Sequence, residues 1–177
     1  FAKIKWIAQY TDNLYHPKYI DVLRVAYTYA FQRGRFSDLV ALLSGRDFEK
    51  RSNTEEIAQQ SYEKLRTGLM AFFNETHYKR FLLLIRSAGF IHANLLNSQN
   101  SLNIAYAIYL HLCDLKMSEH EIQHWVKKWF VMSLLTGRYS GSSESVIERD
   151  IKQIQEKGIQ EYFQLIELAE LNSGFWE

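Results

Sequence analysis

Between Ser118 and Ser145 the chain spells out the start, body and stop of one helix and the start of the next. Ser118 and Glu121 stand at capping-box spacing, where each side chain can satisfy the other's free backbone amide. Ile122, Trp125, Val126, Trp129, Met132 and Ser133 then fall on one face of a 3.6-residue helix, with Lys127 and Lys128 turned away from it. Gly137 follows the last turn, where a left-handed residue ends a helix at least cost. Ser142, Ser143 and Ser145 offer caps to a second helix, Ser145 and Glu148 again at capping-box spacing. The loop between the two helices is Arg138-Tyr139-Ser140-Gly141-Ser142.

The same punctuation runs through the rest of the chain. Residues 2–11 carry a helical stripe of Ile4, Ile7 and Ala8. Pro17 stands at a first turn, where its missing N–H is harmless. The helix that follows, to Arg33, is apolar nearly all round, so it is expected to be central and largely buried, with Gly34 ending it. Ser37 caps a short helix through Leu43, stopped by Gly45. Phe48–Asn53 is a polar connector, Ser52 with Glu55 and Asn53 with Glu56 stand at capping-box spacing, and a long helix starts near Thr54 with the stripe Ile57, Ser61, Leu65, Leu69 and Phe72. His77–Ser87 is helical and stops at Gly89. Phe90–Asn97 is a short helix or an extended segment, and Ser98–Ser101 is turn-like. Leu102–Lys116 turns Ala105, Ile108, Tyr109 and Leu112 inward. The last two helices are 144–157, ended by Gly158, and 159–171. No alternating run signals a strand. The reading is an all-α fold: one multi-helix domain over 1–177, with eight or nine helices and short loops. Leu-Leu-(Ser or Thr)-Gly-Arg occurs twice, at 42–46 and 134–138, as the same helix stop used twice rather than a repeat.

A hydrophobic content of 47% with 15% aromatics supplies a buried core. The net charge of +1 argues for neither a strongly basic nucleic-acid binder nor an acidic protein. Charge is uneven, however. Between Arg24 and Arg51, Arg24, Arg33, Arg35, Arg46, Lys50 and Arg51 face only Asp38, Asp47 and Glu49. Cys113 is the single cysteine, which excludes an internal disulfide and points to a reducing, cytoplasmic setting. No run is long and apolar enough for a membrane span, and the first residues are not a signal peptide. The chain opens without Met in a helical pattern and reads as a piece of something longer. Trp6, Ile7, Tyr10, Phe175 and Trp176 are therefore expected to leave apolar area exposed, or to bury it in a dimer.

Most local patterns that could carry chemistry fail on geometry. His120-Glu121-Ile122-Gln123-His124 matches the zinc-protease pattern, but its two imidazoles fall on the helix face opposite the apolar stripe, whereas a catalytic zinc needs a sheltered cleft. Asp114-Leu115-Lys116 and Asp150-Ile151-Lys152 resemble half of a nuclease core that belongs on a strand. On helices the paired residues diverge, and both triplets read as surface charges. No catalytic or metal-binding residue is assigned. The Arg138 loop has two readings. Arg138, assisted by Tyr139, Ser140, Ser142 and amides of the next helix, could clamp a phosphate. Alternatively, Arg138 pairs with a carboxylate such as Asp150 while Tyr139 packs beneath the loop. The second is favoured, because arginines often fix loops and net charge is low. Arg33, Arg35 and Arg46 form a weaker nucleic-acid candidate.

The run WVKKWFVMSLLTGRYSGSSESVIERDI, with SLNIAYAIYL upstream and IQEYFQLIELAELNSGFWE downstream, resembles the helical middle region of GmrSD-type restriction endonucleases. YIDVLRVAYTYAFQRGRFSDLVALLSGRDFEKR fits the same region, so the resemblance spans nearly the whole chain. It implies a ParB-like nucleotide-hydrolysing domain before this region and an HNH-type nuclease domain after it, in proteins that cut modified foreign DNA during phage defence. The Asp-Gly-Gln-Gln-Arg and His-His-x-x-Pro runs of those domains are absent from this sequence, so their catalytic residues carry over to no position here. The resemblance thus implies a non-catalytic connector without a cofactor of its own, nucleotide and divalent metal belonging to the parent protein. The partners it implies are the flanking domains, with DNA or a second copy of the chain as alternatives.

Overall fold

Four helices begin on side-chain caps, of which the sequence reading names Ser118. Thr54 Oγ1 accepts from the Ile57 amide, Asn74 Oδ1 from His77, Ser98 Oγ from Ser101 and Ser118 Oγ from Glu121, at 3.1–3.3 Å. At Ser118 the box closes, its own amide donating to Glu121 Oε2 at 3.1 Å. The computed structural model describes residues 14–47, 52–90, 92, 98–141 and 143–176. Within these lie eight helices: α1 Tyr19–Phe31, α2 Asp38–Leu43, α3 Glu55–Phe72, α4 Glu75–Ser87, α5 Gln99–Asp114, α6 Glu119–Leu135, α7 Ser143–Lys157 and α8 Ile159–Glu170. The fold is one all-α domain.

The polar connector holds something the sequence did not signal. Arg46–Asp47 (β1) pairs antiparallel with Ser52–Asn53 (β2), Arg46 opposite Asn53 and Asp47 opposite Ser52. Strands of two residues are too short to show alternation. Phe48–Arg51 lie outside the described residues, as do the expected first helix at 2–11, Trp6, Ile7, Tyr10, and 93–97.

The central helix is α5 rather than α1. Every residue from Ser101 to Leu110 is buried, because α1 and α6 pack on α5 and its remaining sides meet the α3–α4 aromatics. Phe81 stacks on Tyr106 with ring centroids 4.7 Å apart, and Phe72 meets Tyr106 edge-on at 5.3 Å. Tyr19 and Ile20 open α1 on the surface, so its nearly all-round apolar pattern overstated its burial. The start of α5 is also earlier than expected: Ser98 is its cap, and Ser101 is buried inside the helix. A polar contact ties α5 to α1. Asn103 Nδ2 donates to Asp21 Oδ1 at 2.8 Å, and the Tyr15 hydroxyl donates to Asn103 Oδ1 at 2.8 Å. Asp21 Oδ2 in turn takes the Lys18 amide at 2.8 Å, capping α1.

Two glycines permit close approach. A Cβ on Gly68 would lie 2.3 Å from the Ala26 carbonyl oxygen, so α1 and α3 cross backbone to backbone there. A Cβ on Gly34 would lie 2.1 Å from the Glu148 amide nitrogen. Gly34 therefore does not end α1; Gln32, left-handed at φ 54°, does. At the far end, Phe175 packs against the main core. Trp176, 44% exposed, donates to Glu167 Oε1 at 2.9 Å and lies beneath the Lys128 ammonium. Among the described residues no helix is long and apolar enough to cross a membrane.

Candidate functional site

The backbone after α6 follows from Gly137. With Gly137 left-handed at φ 61°, the Arg138 amide reaches back to the Ser133 carbonyl at 3.0 Å and the Gly137 amide to Leu134 at 3.3 Å. This double closure is the Schellman arrangement, and it turns residue 138 back toward the helices. Ser140 stabilises the turn, its hydroxyl donating to the Gly137 carbonyl at 2.6 Å.

Arg138 then enters the protein instead of solvent. Its Nε donates to Asp150 Oδ2 at 2.7 Å and its Nη2 to Asp150 Oδ1 at 2.8 Å, a bidentate pair between the loop and α7. Nη1 reaches Glu170 Oε2 on α8 at 2.5 Å. The side chains of Arg138 and Asp150 are 5% and 0% exposed. Two phenols complete the carboxylate's shell: Tyr139 donates to Oδ2 at 3.1 Å and Tyr162 to Oδ1 at 2.8 Å. Trp129 Nε1 donates to the Tyr139 hydroxyl at 3.1 Å, and the guanidinium lies 5.9 Å from the Trp129 ring centre. Burial opposes the charge on Arg138, but the hydrogen bonds and charge of Asp150 outweigh it and hold the guanidinium above its ordinary pKa. Burial and then the Asp150 charge push the Tyr162 phenol up to about 12, and both raise Tyr139 as well.

The favoured sequence reading of this loop, Arg138 on Asp150 with Tyr139 beneath, is what the geometry holds. The reading of Asp150 as a surface charge is corrected. It faces the α6–α8 junction, where a helical wheel shows an isolated polar position but not what stands across from it. Asp114 is exposed, and takes the Tyr29 hydroxyl at 2.5 Å. Ser142 lies outside the described residues, and Ser140 is exposed.

Two arginines of the basic face, Arg33 and Arg24, lie against acids. Arg33 Nη2 pairs with Asp47 Oδ1 at 3.2 Å across the β1 edge. On α7, Glu148 Oε2 accepts the Gly34 amide at 2.5 Å and the Arg35 amide at 3.1 Å. One turn earlier, Glu144 Oε2 accepts the Ser37 hydroxyl at 2.8 Å and amide at 3.3 Å, and its Oε1 lies 3.8 Å from Arg24. The Ser145–Glu148 capping box expected from spacing is not used, since Glu148 is committed to the Gly34 loop and α7 starts at Ser143. Nothing in the local pattern signals this tertiary clamp, which joins residues more than 100 apart in the chain. Arg35 and Arg46 are exposed, and Lys50 and Arg51 lie outside the described residues. His120 and His124 are exposed on α6, where neighbouring burial, Lys128 and His120 lower the His124 pKa. Among the described residues no group of three His, Cys, Asp or Glu side chains could hold a metal ion.

No protein-family model, curated protein or solved structure shows significant similarity to this chain.

Proposed function

We propose that the chain is a non-catalytic helical scaffold of a GmrSD-like restriction endonuclease, a connector holding nucleotide-hydrolysing and nuclease domains in register. The observation that supports the scaffold role is the Arg138–Asp150 cluster. A guanidinium that gives its Nε and both Nη groups to α7 and α8 fixes the angles among three helices and has no free edge for a phosphate. The endonuclease context rests on the resemblance carried by Trp125–Ile151, and nucleotide and divalent metal belong to the flanking domains. The test is the full gene product in cells challenged with phage carrying modified or unmodified DNA. Restriction of the modified phage, lost in Arg138→Ala together with thermal stability, is the expected result. Equal plating of both phages on protected and unprotected cells overturns the endonuclease context, and an Arg138→Ala melting curve like that of the parent overturns the scaffold role.

Exposed Arg35 and Arg46 beside the α2 loop favour a second reading, a DNA-contacting module. It requires salt-dependent binding of a labelled duplex, and Arg35→Ala with Arg46→Ala should flatten the salt slope by about 2.

A further inference from the structure

A cavity of about 400 Å³ opens between α4, α5 and α6, lined by none of the residues of the Arg138 cluster and unused by the scaffold role. That volume falls in the range that holds small ligands, about 300–1,000 Å³. Its walls are mostly apolar, with Leu84 from α4, Met117 before α6 and Ile122 from α6. Its polar groups are unevenly placed. His77 and Arg80 lie one turn apart on the α4 face that also bears Leu84, so both reach the same end of the cavity.

Two of these groups have polar atoms unanswered among the described residues, although the His77 ring meets Tyr109 edge-on at 5.9 Å. Among the described residues Arg80 forms no ion pair, whereas Lys79 beside it pairs with Glu75 at 2.5 Å. The His77 Nδ1 is enclosed and has no hydrogen-bond partner among the described residues. In its neutral form the imidazole then does best with its proton on Nε2, leaving Nδ1 as a bare lone pair and Nε2–H as a donor for a ligand. The floor is Tyr109 and Cys113. Burial pushes both the phenol and the thiol up, and the positive charge of Arg80 partly offsets that rise in each. Glu119 also lines the rim, where it takes the Gln123 amide at 3.4 Å.

We propose that this cavity binds a small organic monocarboxylate, its carboxylate on Arg80 and the His77 imidazole and its apolar body on Leu84, Met117 and Ile122. A carboxylate accepts from both donors at once. An alkyl or aryl body covers the apolar walls at about 25 cal/mol per Å² of area removed from water. A cation would meet Arg80 with like charge, and a neutral chain would leave both donors unanswered.

Cys113 makes the test direct, since it is the only cysteine in the chain and lies in the cavity floor. Alkylation by iodoacetamide is followed in the native protein with sodium octanoate, octanol or octylamine added. Octanoate should slow alkylation in a saturable manner, octylamine should leave it unchanged, and octanol should act only at higher concentration. Arg80→Gln, a surface change that breaks no ion pair, should weaken octanoate by about tenfold, the loss of one charged hydrogen bond, and leave octanol unaltered. Absence of protection by octanoate overturns the proposal. So does equal protection by octanoate and octylamine, or an Arg80→Gln protein that binds octanoate as the parent does.

Discussion

Asp150 accepts four hydrogen bonds, two from Arg138 and one each from Tyr139 and Tyr162, at zero solvent exposure. Such a pair contributes little net stability against an apolar replacement, but breaking it by removing one partner is costly, because a buried charge is stranded. Arg138→Ala is therefore expected to lower unfolding free energy by about 3–5 kcal/mol, more than the about 1–3 kcal/mol of a single charged hydrogen bond. Asp150→Asn should cost a similar amount, since its amide presents N–H groups to donors. The double variant should lose much less than the sum, and urea unfolding of the four proteins reads that coupling. Replacing both residues by Met and Leu should not restore the parent stability. The Tyr139 and Tyr162 hydroxyls would then lose their acceptor inside the protein.

Among the elements, α7 serves two neighbours from two faces. Its Glu144–Glu148 side clamps the loop between α1 and α2, while Asp150 holds the Arg138 loop and α8. The close crossing of α1 and α3 depends on Gly68, whose added Cβ would meet the Ala26 carbonyl at 2.3 Å. Gly68→Ala would raise helix propensity in isolation, yet it forces two backbones apart and should destabilise by about 1–3 kcal/mol. An increase in melting temperature would show that the crossing relaxes freely. Ser118→Ala at the start of α6 makes the opposite comparison: it removes a local cap and no tertiary contact, for about 1 kcal/mol.

At the scale of the whole molecule, the core is crowded with phenols that ionise only at a cost. Burial is the first cause of the raised pKa at Tyr15, Tyr27, Tyr106, Tyr139 and Tyr162. A phenol whose folded pKa lies above its unfolded value adds stability below the unfolded pKa and loses it as pH rises through the folded one. For Tyr162 that window runs from 10.0 to about 12. The melting temperature should accordingly fall steeply across this window, with tyrosinate absorbance rising in step with unfolding. Tyr162→Phe should make the fall shallower, and a parent protein with a flat melting profile from pH 10 to 12 would contradict the assignment.

What the sequence determined by itself is what neighbouring residues decide among themselves. Ser118 caps the helix that its spacing to Glu121 marked, and the long helix expected to start near Thr54 starts at Glu55, because a cap and its amide are three residues apart. Gly45 and Gly137 take a positive φ just past the helices they stop, and Gly158, at φ 80° and ψ 156°, breaks the chain between the last two helices in an extended conformation open to glycine. The all-α class follows from the sum of these local choices. The pairing of Arg138 with Asp150 was legible for a related reason, since a tight turn brings residues 12 apart onto facing surfaces. The tertiary structure alone decided which helix became the centre, why Gly34 is a glycine, and where Glu148 spends its carboxylate. It also decided that His77, Arg80 and Cys113 share a cavity. Those outcomes depend on distant helices meeting at particular angles, and the period of a single helix carries no information about its partner.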